Sequence, residues 1–349
     1  NLGGQACTLT QSVGLPVGVV STLNCAGATH TGTLPPDTAA SGVSSTLPYT
    51  GGNGGSYEAQ TITSTGVTGL TTTLAAGTLA IGAGNLTYTI SGTPSGIGTA
   101  SFAINLGGQA CTLTRPVGIF DRAYGQTIYG ANNHNFVYST VTGADGKTWL
   151  NNNLGANYAN VNHASFNFTQ QATSATDHLA YGSFFQWGRV ADGHELINWT
   201  GSSAGAAVNG TSTLLSSTDI PVNNLFVVIN SGNYDWRNPQ NSSLWQGVSG
   251  VNNPCPVGYR VPTNAEITAL VTASSITNSA TAASSGMKLP SSGYRTDLDG
   301  SLVGVSSLGY YWSSSVSGAY SFFRTFSSSN TLTTTNERAY GFSVRCIKN

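Results

Sequence analysis

The first ten residues of the chain occur a second time, without a change, at positions 105–114. Both copies read Asn-Leu-Gly-Gly-Gln-Ala-Cys-Thr-Leu-Thr, and the Val-Gly pair at 13–14 returns at 117–118. The two copies are 104 residues apart, a spacing that matches the size of a small β domain rather than the short unit of a solenoid. We therefore predict tandem domains that each close with this strand. Residues 1–16 would end one copy, residues 17–118 would form a complete copy, and further copies are expected upstream.

Residues 17–118 have the pattern of an antiparallel β sandwich. Short runs rich in Val, Thr and Tyr alternate with Gly, Pro and Asn about every ten residues, and no amphipathic helix pattern interrupts them. Tyr49, Tyr57, Tyr88 and Phe102 are predicted to lie in the core. The fold class predicted for this part is an all-β, Ig-like sandwich.

Charge and tryptophan content mark a boundary near residues 117–121. Residues 1–118 hold three of the 25 charged side chains and no Trp, whereas the rest of the chain holds all six Trp. We predict a second domain over residues 119–349. A net charge of −1 and the lack of a long apolar run argue against nucleic-acid partners and direct membrane insertion.

The second domain is expected to be a loop-rich α+β fold. Thr263 and Glu266 have the spacing of a capping box before apolar residues, which predicts a helix that begins there. A second helix is expected around residues 179–187. The remaining sequence predicts short strands joined by long polar loops.

The five cysteines predict two disulfides and an exported protein. Cys25 opens the complete copy of the repeat and Cys111 closes it, so these two are predicted to pair. Cys7 closes a copy whose opening cysteine lies upstream. Cys255 and Cys346 then pair in the second domain.

No motif predicts catalysis, a metal or a cofactor. Gly201-Ser-Ser203-Ala-Gly205 matches the nucleophile-elbow pattern but lies in a Gly/Ser/Ala loop, so we interpret it as a chance match. Asp297-Leu-Asp299-Gly300 predicts an Asp-Gly turn, and calcium in a lectin-like loop stays open as an alternative. The histidines have no metal spacing and are expected to be hydrogen-bonded or at the surface. They are His30, His134, His163, His178 and His194.

Large aromatic side chains stand among Asn, Asp and Ser in the second domain, which is a mixture typical of sugar recognition and also of small cores. Four residues lie in polar loops rather than in apolar runs and are predicted to form the ligand-contact surface. They are Trp236, Arg237, Trp245 and Trp312.

Ordered sequence blocks between about residues 137 and 348 resemble the Fibrobacter succinogenes major paralogous domain. The blocks include Asp145-Gly-Lys-Thr-Trp149, Phe185-Gln-Trp187-Gly188-Arg189, Asp235-Trp236-Arg237, Leu244-Trp245-Gln246-Gly247, Pro254-Cys255-Pro256, Gly293-Tyr294-Arg295, Tyr311-Trp312-Ser-Ser314 and Gly341-Phe-Ser-Val-Arg345-Cys346. The resemblance implies a C-type-lectin-like fold in which the disulfide of Cys255 and Cys346 pins long loops. The Glu-Pro-Asn motif of sugar-binding lectins and the catalytic cysteines of formylglycine-generating enzymes are both missing from the sequence, so no enzyme activity is implied.

The repeat is similar to tandem β domains of Bacteroidetes surface adhesins, including those linked to gliding motility and type IX secretion. Asp37-Thr38-Ala39 also matches the Bacteroidetes O-glycosylation pattern, with Thr38 as the acceptor. These resemblances imply a non-enzymatic adhesin at the cell surface. Its partner would be a glycan, another surface ligand, or an outer-membrane secretion or motility protein.

Two other functions stay open at this stage. The chain could be a structural or accessory subunit of an outer-membrane secretion or motility complex. It could also be a carbohydrate-active hydrolase, which requires two carboxylates about 5–9 Å apart in an open cleft.

Overall fold

The computed structural model describes residues 15–126, 134–229, 232 and 234–349. The chain divides into two compact units, Asn1–Gly118 and Ile119–Asn349. The predicted closing strand at 1–16 lies outside the described residues except for its last two positions, and Cys7 lies outside them as well. In the described residues of both units, strands are more frequent than helices, which agrees with the prediction of a β-rich, multidomain chain.

The first unit contains only strands and one short turn of 3₁₀ helix in its described residues. In chain order these are β1 (Thr22–Leu23), the 3₁₀ turn (Cys25–Gly27), β2 (Thr29–Thr31), β3 (Val43–Asn53), β4 (Ser56–Tyr57), β5 (Gln60–Thr63), β6 (Thr65–Gly66), β7 (Leu70–Leu74), β8 (Gly77–Thr78), β9 (Ile81–Gly92), β10 (Gly98–Leu106) and β11 (Gln109–Val117).

Two antiparallel sheets of this unit share one hydrophobic core. One sheet has the order β1-β3-β9-β7-β5, with β2 also paired to β3, and the other has the order β11-β10-β6. Leu47 and Tyr88 come from the first sheet and Phe102 and Leu113 from the second, and all four are fully buried. Alternate residues of these strands point into the core because successive side chains of a strand face opposite sides.

Both predicted disulfides are confirmed. Cys25 bonds to Cys111 with an S–S distance of 2.03 Å, and Cys255 bonds to Cys346 with an S–S distance of 2.05 Å. Disulfides persist in oxidising compartments, so the pair indicates an extracellular or periplasmic protein. Within the residues that the structure describes, no helix is long and apolar enough to cross a membrane.

The second unit combines many short strands with two α-helices. Its strands are β12 (Ile119–Phe120), β13 (Val137–Tyr138), β14 (Thr140–Thr142), β15 (Thr148–Leu150), β16 (Phe185–Gln186), β17 (Ile197–Gly201), β18 (Ala204–Ala207), β19 (Thr211–Ser212), β20 (Phe226–Val227), β21 (Tyr259–Arg260), β22 (Tyr294–Arg295), β23 (Leu302–Val303), β24 (Gly309–Ser317), β25 (Tyr320–Phe326), β26 (Thr331–Glu337), β27 (Gly341–Phe342) and β28 (Ile347–Lys348). Its helices are α1 (Asn264–Ala273) and α2 (Ser279–Ser284), and 3₁₀ turns lie at Asn157–Ala159 and His178–Ala180.

The predicted helix at the capping box is confirmed as α1. The Thr263 hydroxyl accepts a hydrogen bond from the backbone N–H of Glu266, and the Glu266 carboxylate accepts one from the Thr263 N–H. The prediction of a helix around residues 179–187 is wrong. Only a 3₁₀ turn at His178–Ala180 forms, because Gly182 has a φ of 77° and the next residues pair as strand β16 with β27.

Fully buried arginines hold the long loops of the second unit in place. Arg189, Arg295 and Arg345 are each at most 3% exposed. Their guanidinium groups donate hydrogen bonds to backbone carbonyls that no strand or helix satisfies. The acceptors are Leu225 and Asn223 for Arg189, His194 and Gly300 for Arg295, and Asn151 and Met287 for Arg345.

Candidate functional site

Three of the four predicted ligand-contact residues lie in the hydrophobic core, which corrects the prediction. Trp236, Trp245 and Trp312 are each 0% exposed and belong to one buried cluster. Each indole N–H donates to a backbone carbonyl. The acceptors are the carbonyl oxygens of Trp187, Arg189 and Phe185, at 2.7, 3.2 and 2.8 Å respectively. These rings therefore present neither a face nor a donor to an external ligand.

Arg237, the fourth predicted contact residue, is already engaged within the chain. Its Nε lies 2.7 Å from Oδ1 of Asp219, and its side chain is 14% exposed. The guanidinium group also donates to the carbonyl of Pro239. The structure therefore does not bring the four predicted residues together as a surface.

A buried ionic network that the sequence did not predict lies in the second unit. Arg189 Nε contacts Asp192 Oδ2 at 2.7 Å, and Asp192 Oδ1 lies 2.7 Å from His194 Nδ1. Glu195 then connects the two histidines, since its Oε2 lies 3.2 Å from His194 Nδ1 and its Oε1 lies 3.1 Å from His134 Nε2. All five side chains are at most 6% exposed. The sequence shows the short Asp-Gly-His-Glu run at 192–195. The fold then brings His134 next to this run.

Asp192, His194 and Glu195 are close enough to test as metal ligands. The backbone N–H of Gln186 donates to His194 Nε2 at 3.0 Å, so a neutral His194 carries its proton on Nδ1 and has no lone pair there for a metal. The 2.7 Å contact of this nitrogen with Asp192 is a hydrogen-bond distance. Ligands about 2.0–2.2 Å from a tetrahedral metal lie farther apart than this. The three residues fit a hydrogen-bonded network and do not fit a metal site.

The network holds His134 and Glu195 in their charged forms. Burial alone would lower the pKa of His134, but the carboxylates of Asp121 and Glu195 raise it to about 10. Burial alone would raise the pKa of Glu195, but His134 and His194 hold it well below its usual range. The charged pair is enclosed by protein and offers nothing to a ligand.

Asp297 and Glu337 are two acidic residues of the second unit whose side chains interact. Burial, together with the neighbouring Asp297 carboxylate, raises the pKa of Glu337 to about 7. Asp299 Oδ1 accepts the N–H of Ser301 at 2.9 Å, as expected for the predicted Asp-Gly turn.

An open groove of about 720 Å³ lies beside the hairpin of β17 and β18. One wall is this hairpin and the other is the segment that follows the Asp-Gly turn. The wall residues are Asn198, Thr200, Ser203, Ala204, Gly205, Ala206, Ala207, Gly300, Ser301, Leu302 and Val305. None of them has a titratable side chain, and their functional groups are amide, hydroxyl and apolar groups.

Trp199 and Gly205 position the hairpin wall. The Trp199 ring is 4% exposed, and its N–H donates to the Gly182 carbonyl at 2.7 Å. A Cβ at Gly205 would lie 2.4 Å from Cε3 of this ring, so only glycine lets β18 lie flat over the indole. The match to a nucleophile elbow falls in this hairpin, which confirms a chance match because a strand, and not a helix, follows Ser203.

Ser203, Ala204 and Ala206 are exposed on the hairpin, and β18 has β17 as its one strand partner in the described part of the chain. The groove is therefore an open, uncharged feature of the second unit that a ligand can reach. Comparison with family models, curated proteins and solved structures finds no match to the chain.

Proposed function

We propose that the protein is a non-enzymatic, extracellular binding protein whose second unit holds a neutral glycan in the groove beside β17 and β18. The observation that carries this proposal is the composition of the groove wall. Asn198, Thr200, Ser203 and Ser301 supply amide and hydroxyl groups, and the wall has no charged side chain. Sugar hydroxyls pair with such donors and acceptors, whereas a charged ligand would remain unpaired there.

The wider identity that we propose is a bacterial cell-surface adhesin. Its first unit would be an Ig-like β repeat of a stalk, and its second unit a C-type-lectin-like head. The support comes from the exact sequence repeat, the two disulfides and the ordered blocks that resemble the Fibrobacter paralogous domain. Export by a type IX system and a role in gliding motility belong to the same proposal.

Filling the groove is expected to weaken glycan binding. Ala206→Trp places a large ring on an exposed strand position in the wall, and we expect affinity to fall by about tenfold or more, which corresponds to about 1.4 kcal/mol. The measurement is a neutral-glycan array probed with the full chain, followed by titration of the strongest glycan. Ala103→Trp, at an exposed strand position of the first unit, is the matched control.

Two outcomes would contradict the glycan assignment. One is equal binding by the Ala206→Trp variant and the unaltered chain. The other is a silent array together with co-purification of the chain with an outer-membrane complex in fixed stoichiometry. The second result would favour the alternative function as a structural subunit.

Thr38 is expected to carry an O-linked glycan when the chain is made in a Bacteroidetes host. The residue is exposed beside Asp37, and its hydroxyl makes one contact, to the Pro36 carbonyl at 3.3 Å. Thr38→Ala should remove one glycan mass in intact-protein mass spectrometry. Thr61→Ala, an exposed threonine that follows Gln60 instead of Asp, should leave the mass of the glycan unchanged. An unmodified parent chain would refute the assignment.

A further inference from the structure

Four large apolar side chains of the first unit are exposed to solvent. They are Leu15 at 61%, Val17 at 80%, Val19 at 51% and Ile81 at 87%. Within the described residues of this unit, no other large hydrophobic side chain is exposed to this degree. We call these four residues the entry surface, because they lie where the described chain enters the unit.

Three members of the entry surface, Val17, Val19 and Ile81, lie around Asn53. Asn53 joins its members, since its Nδ2 donates to the Val17 carbonyl at 2.9 Å and its Oδ1 accepts the N–H of Val19 at 3.0 Å. Ile81 lies directly opposite Asn53 in the ladder of β3 and β9. The next residue, Gly54, has no side chain to separate Ile81 from this segment. Exposed apolar side chains that lie close together in this way are typical of an interaction surface.

The chain enters and leaves the first unit at opposite ends of β11. The N–H of Val20 donates to the Gly107 carbonyl at 3.1 Å, in the turn that precedes β11. At the far end of the strand, the N–H of Gly118 donates to the Leu34 carbonyl at 3.2 Å. The nine residues of β11 span about 27 Å at roughly 3.4 Å per residue. Consecutive copies of the repeat must therefore follow one another end to end.

The sequence repeat indicates which segment precedes the entry surface along the chain. Residues 1–10 are identical to 105–114, and 13–14 repeat 117–118, so residue 14 corresponds to Gly118, the exit of a copy. The next described residues are already held in place, because the N–H of Ser56 donates to the Pro16 carbonyl at 2.8 Å and Gly18 donates to the Ser56 carbonyl at 2.7 Å. The position that corresponds to the exit of one copy, residue 14, is therefore followed directly by Leu15, the first residue of the entry surface.

We propose that the entry surface is the docking site for the exit end of a preceding copy of the same repeat. The covalent connection holds the two ends together at high effective concentration, and burial of Leu15, Val17, Val19 and Ile81 removes apolar area from water. Docked copies form a stiff rod instead of a freely jointed chain. This interface is independent of the glycan groove in the second unit.

The test adds one complete copy to the full chain. Residues 15–118 are inserted ahead of Leu15 in place of 1–14, and the added copy carries Val17→Ile and Ile81→Val so that its peptides differ in mass. Hydroxyl-radical footprinting then reads the side-chain exposure of Ile81 in the original copy. Because docking covers a side chain that is now 87% exposed, we expect its oxidation to slow by about threefold or more. Unchanged oxidation would overturn the proposal.

A matched pair of variants tests whether protection comes through this surface. In the two-copy chain, Val17→Asp of the original copy should return Ile81 to the oxidation rate of the present chain. Val257→Asp in the second unit should not, although Val257 is 79% exposed and Val17 is 80% exposed. Protection of Ile81 that survives Val17→Asp would place the contact elsewhere and refute the entry surface as the docking site.

Discussion

Replacing Trp312 with alanine is expected to lower the free energy of unfolding of the second unit by about 3–5 kcal/mol. The ring is 0% exposed, and its centroid lies 4.2 Å from that of Phe342. The substitution therefore leaves a cavity between core residues and removes the donor for the Phe185 carbonyl. Urea denaturation followed by Trp fluorescence measures this unit alone, because all six Trp lie beyond residue 118.

Val257→Ala is the control for this substitution. Val257 is 79% exposed, so its truncation should change the free energy of unfolding by no more than about 0.5 kcal/mol. A Trp312→Ala variant of unchanged stability but weaker ligand binding would restore the contact role that the sequence predicted for Trp312.

The β structure of the first unit could be predicted because its evidence is local and repeated. Alternating apolar residues in runs such as β10 report a strand that is buried on one face, and an exact repeat fixes the length of a domain. The pairing of Cys25 with Cys111 followed from the same repeat, since one cysteine opens the copy and the other closes it. Helix α1 was predictable for a similar reason, because a capping box is complete within four residues.

The tryptophans were misplaced because polar neighbours in the sequence do not report burial in a loop-rich unit. Trp236 and Trp245 stand among Asp, Asn and Ser, yet both are 0% exposed. Loops outside a strand ladder leave backbone carbonyls that need hydrogen-bond donors. They also supply few aliphatic side chains for the core. A Trp ring supplies a large apolar volume and one N–H donor, so it serves both needs at once.

The need to satisfy loop carbonyls also explains why four arginines of the second unit are buried. Arg189, Arg295, Arg338 and Arg345 are at most 3% exposed, and their guanidinium groups donate to loop carbonyls. A guanidinium group has five donors in a rigid plane, which suits irregular backbone. These four arginines therefore lie in the interior of the unit, whereas the groove is lined by uncharged side chains.

Removing one charge from the buried ionic network is also expected to cause a large loss of stability. Glu195→Gln keeps the shape of the side chain but removes the negative charge that faces His134 and His194, at 3.1 and 3.2 Å. The substitution leaves the buried His134 with only the more distant Asp121 carboxylate, at 3.5 Å, so we expect a loss of about 3–5 kcal/mol in the free energy of unfolding. Glu58→Gln, at an exposed position of the first unit, is the control and should have almost no effect.

The pH dependence of this loss separates the ion pair from a simple packing defect. The pKa of His134 is raised to about 10 from an ordinary value near 6.5, so its contribution is fully present below about pH 6.5 and declines as the pH approaches 10. The pKa of Glu195 is lowered, so its contribution is present above its ordinary pKa of about 4.3 and is lost as the pH falls below it. Urea midpoints of the unaltered chain and the Glu195→Gln variant should therefore differ most between about pH 4.5 and 6.5 and converge toward pH 10. A difference that stays constant from pH 5.5 to 9.5 would show that Glu195 acts through its volume alone.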